Sequence, residues 1–211
     1  MSVPAEILDL DALRRAGISR DPFDHVVLPG FVTAADAAAA RAALPRSAHG
    51  GIAPAGSRPA DDALGRLLAA LRHPRTSAAF SDIFGVSLSP DTLMIHLRSR
   101  CRPQDGQIHT DSRDKVVTCL LYLNESWPHA GGRLRLLRGP DDLENMAGEV
   151  APLAGTLVAF RRSDSSFHGH HPFEGERTYV MFNWMVSAQA ARRETRRHAV
   201  SAAFKRLVGA A

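Results

Sequence analysis

Residues 109–124, HTDSRDKVVTCLLYLN, set a His-x-Asp pair just ahead of a β-branched and aliphatic run that ends at Asn124. Residues i and i+2 of a strand project from one face, so His109 and Asp111 can reach one ion if Gln107–Asp111 is extended. The run Val116–Leu123 reads as a strand between turn formers. The pair alone is weak, because His-x-Asp recurs by chance on surface turns. What surrounds it decides the fold.

Downstream and upstream, short β-branched or aromatic segments recur at Thr92–Arg98, Arg133–Leu137, Thr156–Phe160, His168–His171 and Arg177–Val186, separated by Gly, Pro, Asn and Asp. Many short strands with such punctuation predict an antiparallel barrel or jelly roll. Helices precede them. Thr33 followed by Asp36 resembles a capping box, opening a helix over Ala34–Leu44 that stops at Pro45. Two more, Asp62–Arg72 and Arg75–Phe84, divide at Pro74. Between them RSAHGGIAPAGSRPAD, residues 46–61, has no periodicity and reads as a loop bordering a site. An amphipathic helix over Ala188–Leu207 closes the chain. The expected organisation is one domain of 211 residues: 1–91 helices and loops, 92–186 a mostly β catalytic core, 187–211 a C-terminal helix.

Composition excludes several classes. With 45% hydrophobic and 23% charged residues the chain can bury a core. It holds no apolar run approaching the roughly 20 residues of a membrane span. Its N-terminus lacks the apolar centre of a secretory signal, so a cytoplasmic location is expected. Cys101 and Cys119 are too few for a disulfide framework and form no CxxC pair. The net charge of +4 lies partly in the tail RRETRRHAVSAAFKRL, read as a solvated helix face.

A third ligand for His109 and Asp111 must come from elsewhere, and SSFHGHHPFEGER, residues 165–177, supplies three histidines, of which His168 and His170 share a face if extended and His171 points away. Two imidazoles and a carboxylate on one face of an octahedron leave three positions open, the arrangement of non-heme iron(II) oxygenases. A structural zinc site would close its fourth position.

The segments HTDSRDKVVTCLLYLN, GGRLRLL, VAPLAGTLVAF and SFHGHHPFEGERTYVMFNW, in that order, resemble the 2-oxoglutarate and iron(II)-dependent dioxygenases of the prolyl-4-hydroxylase-like group, from about Leu93 to Val186, with a looser echo in PFDHVVLPGF. The resemblance implies a double-stranded β-helix, iron(II) held by His109, Asp111 and His168, and a 2-oxoglutarate carboxylate gripped by Arg177. It places the distal ligand at His168 rather than His170. Ascorbate is a further candidate cofactor. The implied partners are dioxygen and a small-molecule or peptidyl substrate, and nucleic acid is not expected. The implied reaction is hydroxylation coupled to decarboxylation of 2-oxoglutarate to succinate; the Asp111 carboxylate stands where halogenating relatives lack one.

Arg177 offers a permanently charged planar fork for a carboxylate, and Tyr179 shares its strand face. Relatives often carry a Tyr ahead of the His-x-Asp pair, whereas IHLRSRCRPQDG here offers Arg98 or Arg100 instead. Lys115 is an alternative anchor expected to be exposed. His96 reads as a structural histidine, and Gly131 and Gly132 as backbone turn formers. Thr118, Tyr122, Asn124 and Asn183 line either a pocket or the core. Three other readings compete. A cupin-like hydrolase or isomerase would not need Arg177, a nucleic-acid demethylase would place a second Arg where Asn183 stands, and a non-catalytic metal-binding module would be expected to lose a ligand.

Overall fold

The computed structural model describes residues 7–45, 52–56 and 58–194. Its helices start where short polar side chains can satisfy free amides. Asp9 caps α1 (Leu10–Ala16), Thr33 caps α2 (Ala34–Ala42) and Asp62 caps α3 (Ala63–Arg72). At α2 the box is reciprocal: Asp36 N donates to Thr33 Oγ1 at 3.1 Å, and Thr33 Oγ1 donates to Asp36 Oδ2 at 2.6 Å. Pro74 opens α4 (Pro74–Phe84) and Gly85, at φ 61°, ends it.

Among the described residues, nine strands make two antiparallel sheets. They are β1 (His25–Leu28), β2 (Ala53–Pro54), β3 (Leu93–Cys101), β4 (Lys115–Tyr122), β5 (Leu134–Leu137), β6 (Met146–Val150), β7 (Leu157–Arg161), β8 (His168–Gly169) and β9 (Gly175–Met185). The larger sheet runs β1-β7-β4-β9-β3-β2 and the smaller β6-β5-β8; the two do not close into one barrel. Strand β4 looks continuously apolar because both of its faces are covered. Val117, Cys119 and Leu121 pack against α1–α4, together with Val180, Phe182 and Trp184 of β9. Leu120 and Tyr122 point the other way, onto Leu134, Leu136 and Val150 of the smaller sheet. The interior between the sheets therefore receives alternate residues of β3, β4, β7 and β9.

Five expected strands are present with shifted ends, and two expectations need correction. Gln107–Asp111 is not a strand; only His109 makes an isolated bridge, to His168, because the turn at 103–106 and the loop after it leave the flanking residues unpaired. His168–His171 contracts to His168–Gly169. Strands β1, β2 and β6 and helix α1 were not expected. Part of the stretch 46–61 lies outside the described residues, but Ala53 and Pro54 extend the larger sheet opposite Leu97 and His96. Residues 188–194 are helical, with Ala190 and Ala191 against Met94 and Met185; the expected continuation to Leu207 lies outside the described residues. Among the described residues, no helix is long and apolar enough to cross a membrane.

Candidate metal centre and anion pocket

His109 and His168 face each other through a two-bond backbone bridge: His109 N donates to His168 O at 3.1 Å and His168 N to His109 O at 3.0 Å. The bridge brings the rings to 4.3 Å between centroids. Each ring uses Nδ1 on a backbone carbonyl, His109 on Gln107 O at 2.8 Å and His168 on Ser166 O at 3.0 Å. A carbonyl oxygen only accepts, so Nδ1 carries the proton and Nε2 keeps its lone pair for a metal. One ligand atom from each of His109, Asp111 and His168 lies within 4.8 Å of the others. This donor set, two neutral imidazoles and one carboxylate, fits a divalent transition metal with coordination positions left over.

Asp111 is held from three sides. Lys115 Nζ donates to Oδ1 at 2.8 Å, Thr118 Oγ1 donates to Oδ2 at 2.5 Å, and Arg162 Nε donates to the backbone carbonyl at 3.1 Å. Burial alone would raise the carboxyl pKa, but Lys115 and the nearby His168, with the two side-chain hydrogen bonds, bring it down to about 2. Burial pushes His168 down to about 4 despite the attraction of Asp111. Both groups are thus in their metal-binding protonation states at neutral pH.

His170 stands apart from the triad. Its amide donates to Gly106 O at 2.8 Å and its Nδ1 meets His171 O at 2.8 Å, leaving Nε2 4.0 Å from Cys101 Sγ. Burial and the neighbouring Arg177 push it down to about 4. His171 lies farther out and pairs with Glu144 at 2.7 Å.

Farther along the interior, Arg177 is 2% exposed. Its Nε donates to Gly132 O at 2.7 Å and its Nη2 to Tyr122 Oη at 3.3 Å. The guanidinium carbon lies 5.3 Å from the Tyr122 ring centroid and 5.1 Å from that of Tyr179. Burial raises Tyr122 to about 12, which keeps its hydroxyl protonated. Tyr179 does share the interior face, but its hydroxyl accepts from Arg98 Nη1 at 3.2 Å rather than bonding Arg177. Arg98 is buried and ion-paired to Asp105 at 2.8 Å, while Arg100 turns outward toward Glu174. Two cations, Arg98 and Arg177, therefore flank one tyrosine ring.

Several expectations resolve against this geometry. Lys115 is not exposed: its side chain is 13% accessible and sits on Asp111. Thr118 faces the candidate donors, its hydroxyl bonded to the Asp111 carboxylate. Asn124 is a strut, its amide nitrogen donating to Pro152 O and Thr178 O and its oxygen accepting from Thr178 N. Asn183 and His96 are fully buried on the interior side of β9 and β3. Gly132, at φ 75°, has room for no Cβ, which would meet Trp127 at 2.7 Å. The pairing of Tyr122 with Arg177 had one sequence signal, a Tyr placed so that β4 and β9 pair it with Tyr179. Two cavities of about 380 and 300 Å³ lie beside α2 around Arg41, Glu125 and Glu176, and no triad residue lines them.

Residues 97–186 match the family model of the 2OG-Fe(II) oxygenase superfamily. No curated protein matches the sequence. Among solved structures, the chain is similar to a prolyl-4-hydroxylase from Pseudomonas putida, at 24% identity over 87% of this chain and 92% of that one, TM-score 0.59. It is similar to a prolyl 4-hydroxylase from Phytophthora capsici, at 25% identity over 87% and 67%, TM-score 0.59. It also resembles HygX from Streptomyces hygroscopicus, solved with nickel and 2-oxoglutarate bound, at 14% identity over 76% and 82%, TM-score 0.52.

Proposed function

We propose, from the 2OG-Fe(II) oxygenase domain that residues 97–186 constitute, that this oxidoreductase binds iron(II) through His109, Asp111 and His168, takes 2-oxoglutarate as cosubstrate, and hydroxylates an organic substrate while 2-oxoglutarate is decarboxylated to succinate. The observation that carries the reading is the pairing, between the same two sheets, of three convergent metal donors with a buried guanidinium. A metal-binding hydrolase or isomerase of similar fold has use for the first but none for the second.

The bound iron would supply activation of dioxygen and of the cosubstrate. The chain's own residues do the rest. Nδ1–H bonds fix the two imidazole tautomers, and Lys115 and Thr118 hold Asp111. Arg177 has five N–H donors, of which Gly132 O and the Tyr122 hydroxyl use two. Three remain for a carboxylate, and the Tyr122 hydroxyl proton can join them. Tyr179 stacks on the Arg177 guanidinium and is held in turn by Arg98, whose own charge is balanced by Asp105. The apolar walls, Leu120, Leu136 and Phe160, keep water from the reacting centre. A small molecule or a peptidyl residue could serve as substrate; the likeness to two prolyl hydroxylases supports the peptidyl class.

The test is substitution of each donor. His109→Ala, Asp111→Ala and His168→Ala should each lose stoichiometric iron(II) binding and 2-oxoglutarate-dependent succinate release while retaining the wild-type circular dichroism spectrum. His170→Ala should keep iron. Full iron binding by His168→Ala would overturn the assignment.

A further inference from the structure

Lys115 is the first residue of β4, and ordinary strand alternation would send it to the same side as Val117, into the layer beneath the helices. The β4–β9 register slips between Lys115 and Val117, where a bulge inserts one residue. The slip turns Lys115 to the side of Thr118, so that both reach the Asp111 carboxylate, one on each oxygen. The neighbouring acid, Asp114, is engaged by Arg193, which leaves Asp111 as the ion-pair partner of Lys115 among the described residues. A buried ammonium needs such a partner, and here the partner is also a metal donor.

We infer that Lys115 is a positioning residue for Asp111: its ammonium, with the Thr118 hydroxyl, fixes the carboxylate and draws charge from it, making Asp111 a weaker donor to iron(II) than an unpaired aspartate would be. The inference rests on the iron and 2-oxoglutarate reading above. Hydrogen-bonded partners of a metal-binding carboxylate tune both its orientation and the metal's electronics. A positive charge in contact with the carboxylate also opposes the charge of a divalent ion.

The experiment uses full-length protein under anaerobic conditions. Iron(II) affinity is measured by calorimetry, and the metal-to-ligand charge-transfer band is recorded after 2-oxoglutarate is added. In Lys115→Met, iron(II) should bind roughly tenfold tighter, the scale of removing one unit charge beside a divalent ion in a partly screened site. The band should move to longer wavelength, because a stronger carboxylate donor makes the iron more electron-rich. Lys115→Arg should return both readouts toward wild type, and Thr118→Val should move the band the same way by less. If Lys115→Met does not fold, Lys115→Gln gives the same comparison. Unchanged or weaker iron binding with an unmoved band, in a variant of wild-type circular dichroism, would overturn the inference and leave Lys115 a purely structural ion pair. Absence of the band in the wild type would instead refute 2-oxoglutarate binding, while iron affinity alone would still decide the role of Lys115.

Discussion

Replacing Arg177 by Met separates anion binding from packing. The side chain is nearly sealed between the Tyr122 and Tyr179 rings, so truncation to Ala would leave a cavity and confound affinity with stability. Met keeps most of the volume and removes every donor. Two consequences follow from the contacts. Gly132 O and the Tyr122 hydroxyl each lose a partner, which costs the fold about 1–3 kcal/mol for a buried group left unsatisfied. A bound carboxylate loses two charge-assisted hydrogen bonds, and at about 1.5–3 kcal/mol each, less what water recovers, affinity should fall by about 2–4 kcal/mol, or roughly 30- to 1000-fold. Iron(II) binding should be unchanged, since Arg177 is not among the donors. Arg177→Lys keeps the charge but not the planar fork and should fall between wild type and Met. The assay is titration of anaerobic iron-loaded protein with 2-oxoglutarate, following the charge-transfer band, with thermal unfolding measured in parallel. Wild-type affinity in Arg177→Met would remove this residue from the cosubstrate site and make Arg98 the anchor to examine next.

Acid should weaken the fold in a defined window. His168 and His170 have folded pKa values of about 4 against 6.5 for the free side chain, so as pH falls through 6.5 the unfolded chain takes up protons first, and stability drops until about pH 4; Asp111, depressed from 3.8 to about 2, extends the loss below that. Urea unfolding of metal-free protein should show a nearly flat midpoint above pH 7 and a decline on the order of several kcal/mol between pH 6.5 and 4, a decline that His170→Gln makes shallower; the same slope in that variant would refute the assignment to His170. Gly106→Ala should cost more than the usual glycine substitution, because φ is 91° and the added Cβ would sit 2.3 Å from the His170 ring. A loss of about 2 kcal/mol or more in unfolding free energy is expected, and a loss under about 0.5 kcal/mol would mean that the turn relaxes freely.

Helices α2, α3 and α4 were legible because their signals are local, while α1, two turns long behind its Asp9 cap, was not. Thr33, Asp62 and Pro74 mark ends within one turn of the residues they flank, and each acts there as its chemistry dictates. The central strands were legible for a different reason: β4 and β9 are long enough for β-branched and aromatic content to stand out. Strand β6, MAGEV, was not, since Gly, Glu and Ala carry no strand signal and its pairing is supplied by the preceding strand β5. Strand β1 owes its place to β7, more than 120 residues later, which no local pattern encodes. Strand β2 falls in a stretch whose Gly, Pro and Ala content reads as loop. It is a two-residue edge strand with Pro54 at its end, where a missing amide costs least.

The spacing of His109 and Asp111 marks them as candidate metal donors, and the structure brings them together with His168 for a different geometric reason. His109 and Asp111 do converge, but not because they alternate along a strand; a single bridge to His168 orients His109, and the contacts from Lys115, Thr118 and Arg162 orient Asp111. Two residues of separation is short enough that both conformations bring the side chains to one side. The choice between His168 and His170 could not be settled by parity, since both would share a face of an extended segment. Close packing is what separates them. A Cβ on Gly169 would lie 2.8 Å from Gly106 O, so the chain at this point is pressed against the 106–108 segment, which takes the His170 amide on one carbonyl and leaves His168 on the bridge. The glycine between the two histidines thus decides which of them converges with His109 and Asp111, by allowing an approach that any larger residue would prevent.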